Sequence, residues 1–432
     1  MNLLKNLDWR ELIAKLVSFA TSELAREKLR NTEPLASAEL ATKSFDQIEA
    51  LSQAFKEGYR PRMESLDLYS NWYQRLTRNS VLKILDIKDV RHFCIEALTL
   101  KEVCIKFEDL YFKEIESEIM DAEAPIAAID DIMTSDGEIR SDASDKLRSL
   151  NAEKNHLARQ VQLALDRLVK DFQIEHLLQD KYVTTREGRW VLPIKSGMQH
   201  GFDGVIHDAS QSKQTVFMEP KEILPINNRL RQIEIEIALE IERILIELSS
   251  YLKSLRFEFE NTQKVLLISD TQFAQSELAT VLNASPCTFD SENFKLFDVR
   301  HPLLVFSSRE VISNDLELNA EKRILILSGP NAGGKTVLLK SMGLAAHMAR
   351  CGLPICARKD SALPFFKEII VSIGDSQSVD SNMSTFAAHL TTLNSATKNR
   401  GPQSLLLIDE ICGSTDPEEG AALARSFIDT YN

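Results

Sequence analysis

The chain has 432 residues, 44% of them hydrophobic and 27% charged, the make-up of a globular protein with two to four domains rather than one. Its net charge of −13 excludes a body coated in basic surface for nonspecific nucleic-acid binding, though not a local basic patch. No stretch is apolar long enough to span a bilayer, and the amphipathic start "MNLLKNLDWRELIAKL" lacks the uninterrupted apolar centre of a signal peptide, so a cytoplasmic location and no membrane partner are expected.

From "LIAKLVSFATSELAREKL" to "ALTLKEVCIKF" apolar residues recur at three and four, which predicts a packed helical domain over 1–124. A softer stretch, "DAEAPIAAIDDIMTSDGEIRSD", interrupts it with turn residues Ser135, Asp136 and Gly137. Next comes a long helix on the alternation of Leu147, Leu150, Leu157, Val161, Ala164 and Leu168. A second run follows Pro225, through Leu230, Ile233, Ile237, Ile241, Ile244, Leu248, Tyr251 and Leu255. Its "EIEIALEIE" could pass for an alternating strand, but the run is too long for one. Between the two helices, "YVTTREGRWVLPIKSGMQHGFDGVIHDASQSKQTVFMEP" alternates β-branched and aromatic residues with turn residues, which predicts short strands and hairpins. Two antiparallel arms over 125–256 are expected, with a β module at their tip, about 181–221. The tip has six Lys/Arg against four Asp/Glu, which suits either a solvated face or a surface for phosphates. A further helical stretch, 257–292, returns to the core. "FKLFDVRHPLLVF" and "RILILSGP" then read as strands opening an α/β domain over 293–432. The six cysteines, Cys94, Cys104, Cys287, Cys351, Cys356 and Cys412, show no paired metal spacing and read as reduced thiols.

Chemistry concentrates in the last domain. Gly329-Pro330-Asn331-Ala332-Gly333-Gly334-Lys335-Thr336 completes the pattern G-x-x-x-x-G-K-[ST], with "RILILS" before it and the helical "TVLLKSMGLAAHMA" after it. Glycines let backbone N–H groups turn onto phosphate oxygens, Lys335 would sit against the β- and γ-phosphates, and the Thr336 hydroxyl would hold Mg²⁺. In "SLLLIDEICGSTDPEEG" an apolar strand, Leu405 to Ile408, delivers Asp409 and Glu410. Asp409 would bind Mg²⁺ through water, and Glu410 would orient and deprotonate the attacking water. In "IGDSQSVDSNMSTFAAHL", Ser381, Asn382, Ser384 and Thr385 precede a helix starting near Phe386. They serve either as helix caps or as an anion site facing a partner chain's nucleotide.

Together, "GPNAGGKT", "STF" after a polar turn and "DEICGSTDPEEGAALA" resemble the MutS ATPase domain, of the ABC-type superfamily. "SIGDSQSVDSNMSTFAAH", "FATSELAREKL", "DGEIRSDASDKLRSL" and "GVIHDASQSKQTVFMEP" are similar to the second bacterial branch, MutS type two, and extend the resemblance along the whole chain. It implies a multidomain fold: a mainly α-helical core and lever, a coiled-coil clamp carrying the small β module, and an α/β ABC-type P-loop ATPase domain. It implies a homodimer with ATP and Mg²⁺ at composite sites. Gly329, Asn331, Gly333, Gly334, Lys335 and Thr336 would bind phosphate and Mg²⁺, with Ser384 reaching the partner's nucleotide. Asp416 would lie in the loop linking the two sites, and Gln377 would sense the γ-phosphate. The branch lacks the mismatch-reading domain, so no preference for mismatched duplex is expected. The histidine of ABC-type sites and the branch's Smr nuclease module would follow "ARSFIDTYN", which suggests a truncated ATPase domain, and Cys412 stands where a small residue is expected.

Two targets suit such a clamp motor: branched DNA, with suppression of recombination, or collided ribosomes and their rRNA, with rescue. A nucleotide-binding scaffold without turnover is a third reading. An SMC-like ATPase is disfavoured, because Lys335 and Asp409 are 74 positions apart with no long coiled coil between them.

Overall fold

The computed structural model describes residues 6–307, 311–329, 334–373, 394, 403–409 and 417–431. They form two compact units: Met1–Tyr69 with Ile95–Met120 and Glu258–Asn432, and Ser70–Cys94 with Asp121–Phe257.

In the second unit the interrupting stretch holds a helix, Glu123–Asp130, and then a tight turn closed by a Met133–Ile139 bridge. Gly137, at φ 86, takes the left-handed position of that turn and donates to Thr134 O. The first arm helix, Asp145–Val169, starts where Ser144 accepts the Leu147 N–H at 3.0 Å. The second, Leu224–Ser254, starts on Pro225, whose missing N–H costs nothing in a first turn. They run antiparallel, with Arg229 on Glu153 at 2.7 Å, Lys154 on Glu234 at 3.3 Å and Ser144 on Glu240 at 2.8 Å. "EIEIALEIE" is helical throughout, with Ile233 and Ile244 buried while Ile235 and Leu239 face solvent.

The tip is one antiparallel sheet in the order β1-β2-β4-β3, made of β1 (Thr184–Arg186), β2 (Arg189–Lys195), β3 (Gly204–Ala209) and β4 (Thr215–Pro220). Gly204 has no substitute there, since a Cβ would lie 2.4 Å from Glu219 O. Glu219 is fully buried and accepts from Arg189 at 3.0 Å, from Asn227 at 2.7 Å and from His207 across a bulge in β3. The motif "GVIHDASQSKQTVFMEP" is thereby a structural one: it ties β3 and β4 to the start of the second arm helix. Of the six tip cations, Lys181, Arg186, Arg189 and Lys221 are in ion pairs, and Lys195 donates to His176 O. Three of these partners, Asp208, Glu219 and Asp203, are acids of the tip itself.

The first unit gathers helices Trp9–Ser18, Glu23–Arg30, Ala38–Lys56, Leu110–Glu118 and most of Arg256–Val281. Their junction is Asp270, which has no exposure. Its carboxylate accepts from the backbone and hydroxyl of both Thr21 and Ser22 at 2.7–3.2 Å, and from Arg60 at 3.0 Å. One acid thus satisfies N–H groups at the start of Glu23–Arg30 and neutralises a largely buried guanidinium, which accounts for the "FATSELAREKL" stretch.

The α/β part of this unit has a mixed sheet in the order β5-β8-β6-β7, from β5 (Thr288–Phe289), β6 (Asn293–Val299), β7 (Asn314–Asn319) and β8 (Ala362–Leu363). A parallel pair joins β9 (Glu368–Ser372) to β10 (Ser404–Ile408) in the register Leu405 to Ile369. Two strand expectations are corrected. In "FKLFDVRHPLLVF" the strand ends at Val299, and Pro302–Phe306 is a short helix, because Pro302 presets its first turn. "RILILS" forms no strand with any of the described residues, and Ile326 is 70% exposed. Apolar β-branched residues favour an extended backbone, whereas a strand also needs a neighbouring ladder.

Replacing Asp270 with Ala leaves Arg60 and four donors without their acceptor inside the core. Asp270→Ala is predicted to lower unfolding free energy by about 3–5 kcal/mol, read from denaturant midpoints.

Candidate phosphate and cation site

The helix Lys335–Arg350, the loop helix, begins directly after Gly334. Gly334 has φ 82, left-handed backbone that an L side chain rarely adopts, so the glycine is a requirement of the turn into the helix. Lys335 Nζ donates to Gly329 O at 2.5 Å. Thr336 Oγ1 donates to Asp409 Oδ2 at 2.6 Å. Asp409 stands just past the C-terminal end of β10, where its N–H donates to Ser372 O at 2.8 Å and continues the pairing with β9.

Of the residues singled out in the sequence, Gly329, Gly334, Lys335, Thr336 and Asp409 are therefore brought to one place. Pro330, Asn331, Ala332, Gly333, Gln377, Ser384, Glu410, Cys412 and Asp416 lie outside the described residues.

What the arrangement can do follows from its groups. A helix N-terminus with a lysine at its mouth attracts an anion. A hydroxyl and a carboxylate oxygen in contact form a pair of hard donors that suits Mg²⁺, a cation that keeps several waters and is held by few protein ligands. Among the described residues no group of three or more His, Cys, Asp and Glu could hold a metal ion. The cysteines among the described residues, Cys94, Cys104, Cys287, Cys351 and Cys356, are buried free thiols, pushed up to about 12 by burial.

Sequence reasoning missed the back of the loop helix. Lys340 pairs with Asp8 at 2.9 Å, His347 packs on Trp9 with ring centroids 4.4 Å apart, and Gly343 lies under Leu7. Two signals were there to be seen: a lysine on an apolar helix, and a glycine in its interior.

Residues 325–431 match the family model for MutS domain V. A protein named "Endonuclease MutS2" from Latilactobacillus sakei is 33% identical over 99% of this chain and 55% of its own length. Proteins of the same name from Bacillus velezensis and Lachnospira eligens are 32% and 33% identical, over 99% and 98% of this chain and 55% and 54% of theirs. The chain belongs to the MutS family, in its type-two branch. It spans about half the length of the curated relatives it matches. The MutS match takes in all five of the site residues placed above, and Arg323–Ser328 overlaps its start. No helix among the described residues is long and apolar enough to cross a membrane.

Burial, with Arg350 nearby, pushes the His347 imidazole down to about 4. As pH falls below the ordinary histidine value, the unfolded chain takes up this proton first, so stability present above about pH 6.5 is lost towards pH 4. Going from pH 7 to pH 5 is predicted to remove about 2 kcal/mol through this group. Denaturation of a His347→Leu variant should lack that increment; an unchanged pH dependence would place the acid sensitivity elsewhere.

Proposed function

We propose that this MutS-family chain binds ATP with Mg²⁺ and hydrolyses it, driving a dimeric clamp that acts on DNA, with branched recombination intermediates as the target. The observation that carries the reading is the Thr336–Asp409 contact: the hydroxyl at the start of a helix meets the carboxylate at the end of a parallel strand, 73 residues apart in sequence. Phosphates would lie on the loop helix N-terminus, with Lys335 against the β- and γ-phosphates in place of Gly329 O. Thr336 and Asp409 would hold Mg²⁺, which supplies charge neutralisation across the β- and γ-phosphates. Glu410, next in sequence, would orient the attacking water and accept its proton. Ser384 and Asp416 would serve the partner's site, and Gln377 the γ-phosphate. Residues 1–124 would be core and lever, 125–256 the clamp with its β tip, 257–292 the returning core, and 293–432 the ATPase domain.

Five of the six tip cations already have partners, three of them acids of the tip itself. The clamp is therefore proposed to enclose DNA by its arms, with modest phosphate attraction from the tip, and so with a shallow salt dependence.

Steady-state ATP hydrolysis tests the proposal. Glu410→Gln is expected to lower kcat by about 10²–10⁴-fold, with ATP still bound, and Lys335→Ala is expected to weaken ATP binding itself. Equal rates in the wild type and Glu410→Gln would leave a nucleotide-binding scaffold without turnover.

A further inference from the structure

We infer that the N-terminal segment Leu7–Trp9 is a positioning element for the phosphate loop, with Asp8 setting how tightly the loop takes nucleotide through its contact with Lys340. The inference rests on the nucleotide reading above and assigns a role to residues outside the site.

Three consecutive residues each hold a different point of the loop helix. Leu7 is fully buried where a Cβ on Gly343 would come within 2.5 Å of Leu7 Cδ2 and 2.8 Å of Leu407 Cδ1. It thus packs on the loop helix at the same glycine that Leu407 of β10 meets, where the two elements that deliver Thr336 and Asp409 come together. Asp8 places both carboxylate oxygens on Lys340 Nζ, at 2.9 and 3.0 Å. Trp9 sets its ring edge-on to His347, at 86°. His301 also approaches Asp8, at 3.6 Å, but burial lowers its basicity, so Lys340 is the cation that faces the carboxylate at neutral pH.

The other end of the loop helix is tied to the same helical block. Leu35 N–H donates to Arg350 O at 2.8 Å, and Ser44 Oγ donates to Gly352 O at 2.9 Å. With that end fixed, the Asp8–Lys340 pair sets the rotation and height of the end that carries Lys335 and Thr336. Lys340 stands five residues from Lys335, about 7.5 Å along a rigid rod, so a shift at one is felt at the other. Asp8 also has φ 57, left-handed backbone for a residue with a side chain. Such a conformation persists only where its surroundings over-determine it. Linkage makes the effect reciprocal: if docking of Leu7–Trp9 favours nucleotide, nucleotide favours docking.

The test uses the whole chain. Asp8→Asn removes the charge while keeping a residue that tolerates the left-handed backbone, and Lys340→Met keeps the aliphatic stem. Equilibrium binding of ATP with Mg²⁺ is measured for the wild type, both singles and the double variant, and Trp9 emission is followed in a background with Trp72 and Trp190 replaced by Phe. Each single is expected to weaken ATP binding by about fivefold or more, with the double no worse than either single. ATP should shift Trp9 emission, and Asp8→Asn should abolish that shift. Wild-type affinity retained in the variants, or a lowered denaturation midpoint with unchanged affinity, would reduce the segment to a structural support and overturn the inference. A wild-type chain that binds no ATP would instead overturn the nucleotide reading, and the inference with it.

Discussion

A hydroxyl and a carboxylate 2.6 Å apart, each on a different element, are the constraint around which the α/β part is built. To bring Thr336 to Asp409, the chain must start a helix from a left-handed glycine and end a parallel strand beside Ser372. It must also pack the helix on the strand closely enough that Gly343 admits no side chain. Each of these requirements shows in the residues: Gly334 at the turn, the apolar "SLLLI" of β10, and Gly343 under Leu7 and Leu407. The contact has no great value as a stabilising bond, since a single hydrogen bond to a carboxylate contributes only about 1.5–3 kcal/mol. Its importance is that two hard oxygens are held at the mouth of a helix N-terminus, a place suited to a phosphate and its cation.

Periodicity and turn chemistry made the helical arms and the β tip legible in the sequence, because both features are local. Leu147, Leu150, Val161 and Leu165 repeat on one face and are buried on one face. The tip's turns fall at Gly188, at Gly197 and at the polar Ser210–Lys213. Local signals failed where a partner decides the outcome. Ile324 to Leu327 look like a buried strand, yet being a strand requires a neighbour's hydrogen bonds, and none comes from the described residues. Pro302 turns the end of an apolar run into a helix. The phosphate loop, Thr336 and Asp409 were legible as motifs, since their chemistry is written in residue type and order. Their support was not: Asp8 and Lys340 are 332 residues apart, and Asp270 gathers Thr21, Ser22 and Arg60 from two distant segments. A sequence read in windows cannot pair them.

Charge is a second case in which counting misled. An acidic chain with a basic tip invites the view that the tip is there for phosphates. In the structure Arg189 is turned inward onto the buried Glu219, Arg186 and Lys221 meet Asp208 and Asp203 of the tip itself, and Lys181 meets Glu175 just before it. The tip's cations first serve its fold. Cations already engaged with acids offer less to an external phosphate than the tip's composition suggests.

The most direct measurement is calorimetric binding of ATP to the chain with and without Mg²⁺. If Thr336 and Asp409 form the cation site, ATP should bind at least about tenfold more tightly with Mg²⁺, a difference of about 1.4 kcal/mol. Equal affinity in the two conditions, or no binding in either, would contradict the assignment of Thr336 and Asp409 as the Mg²⁺ pair of a phosphate site.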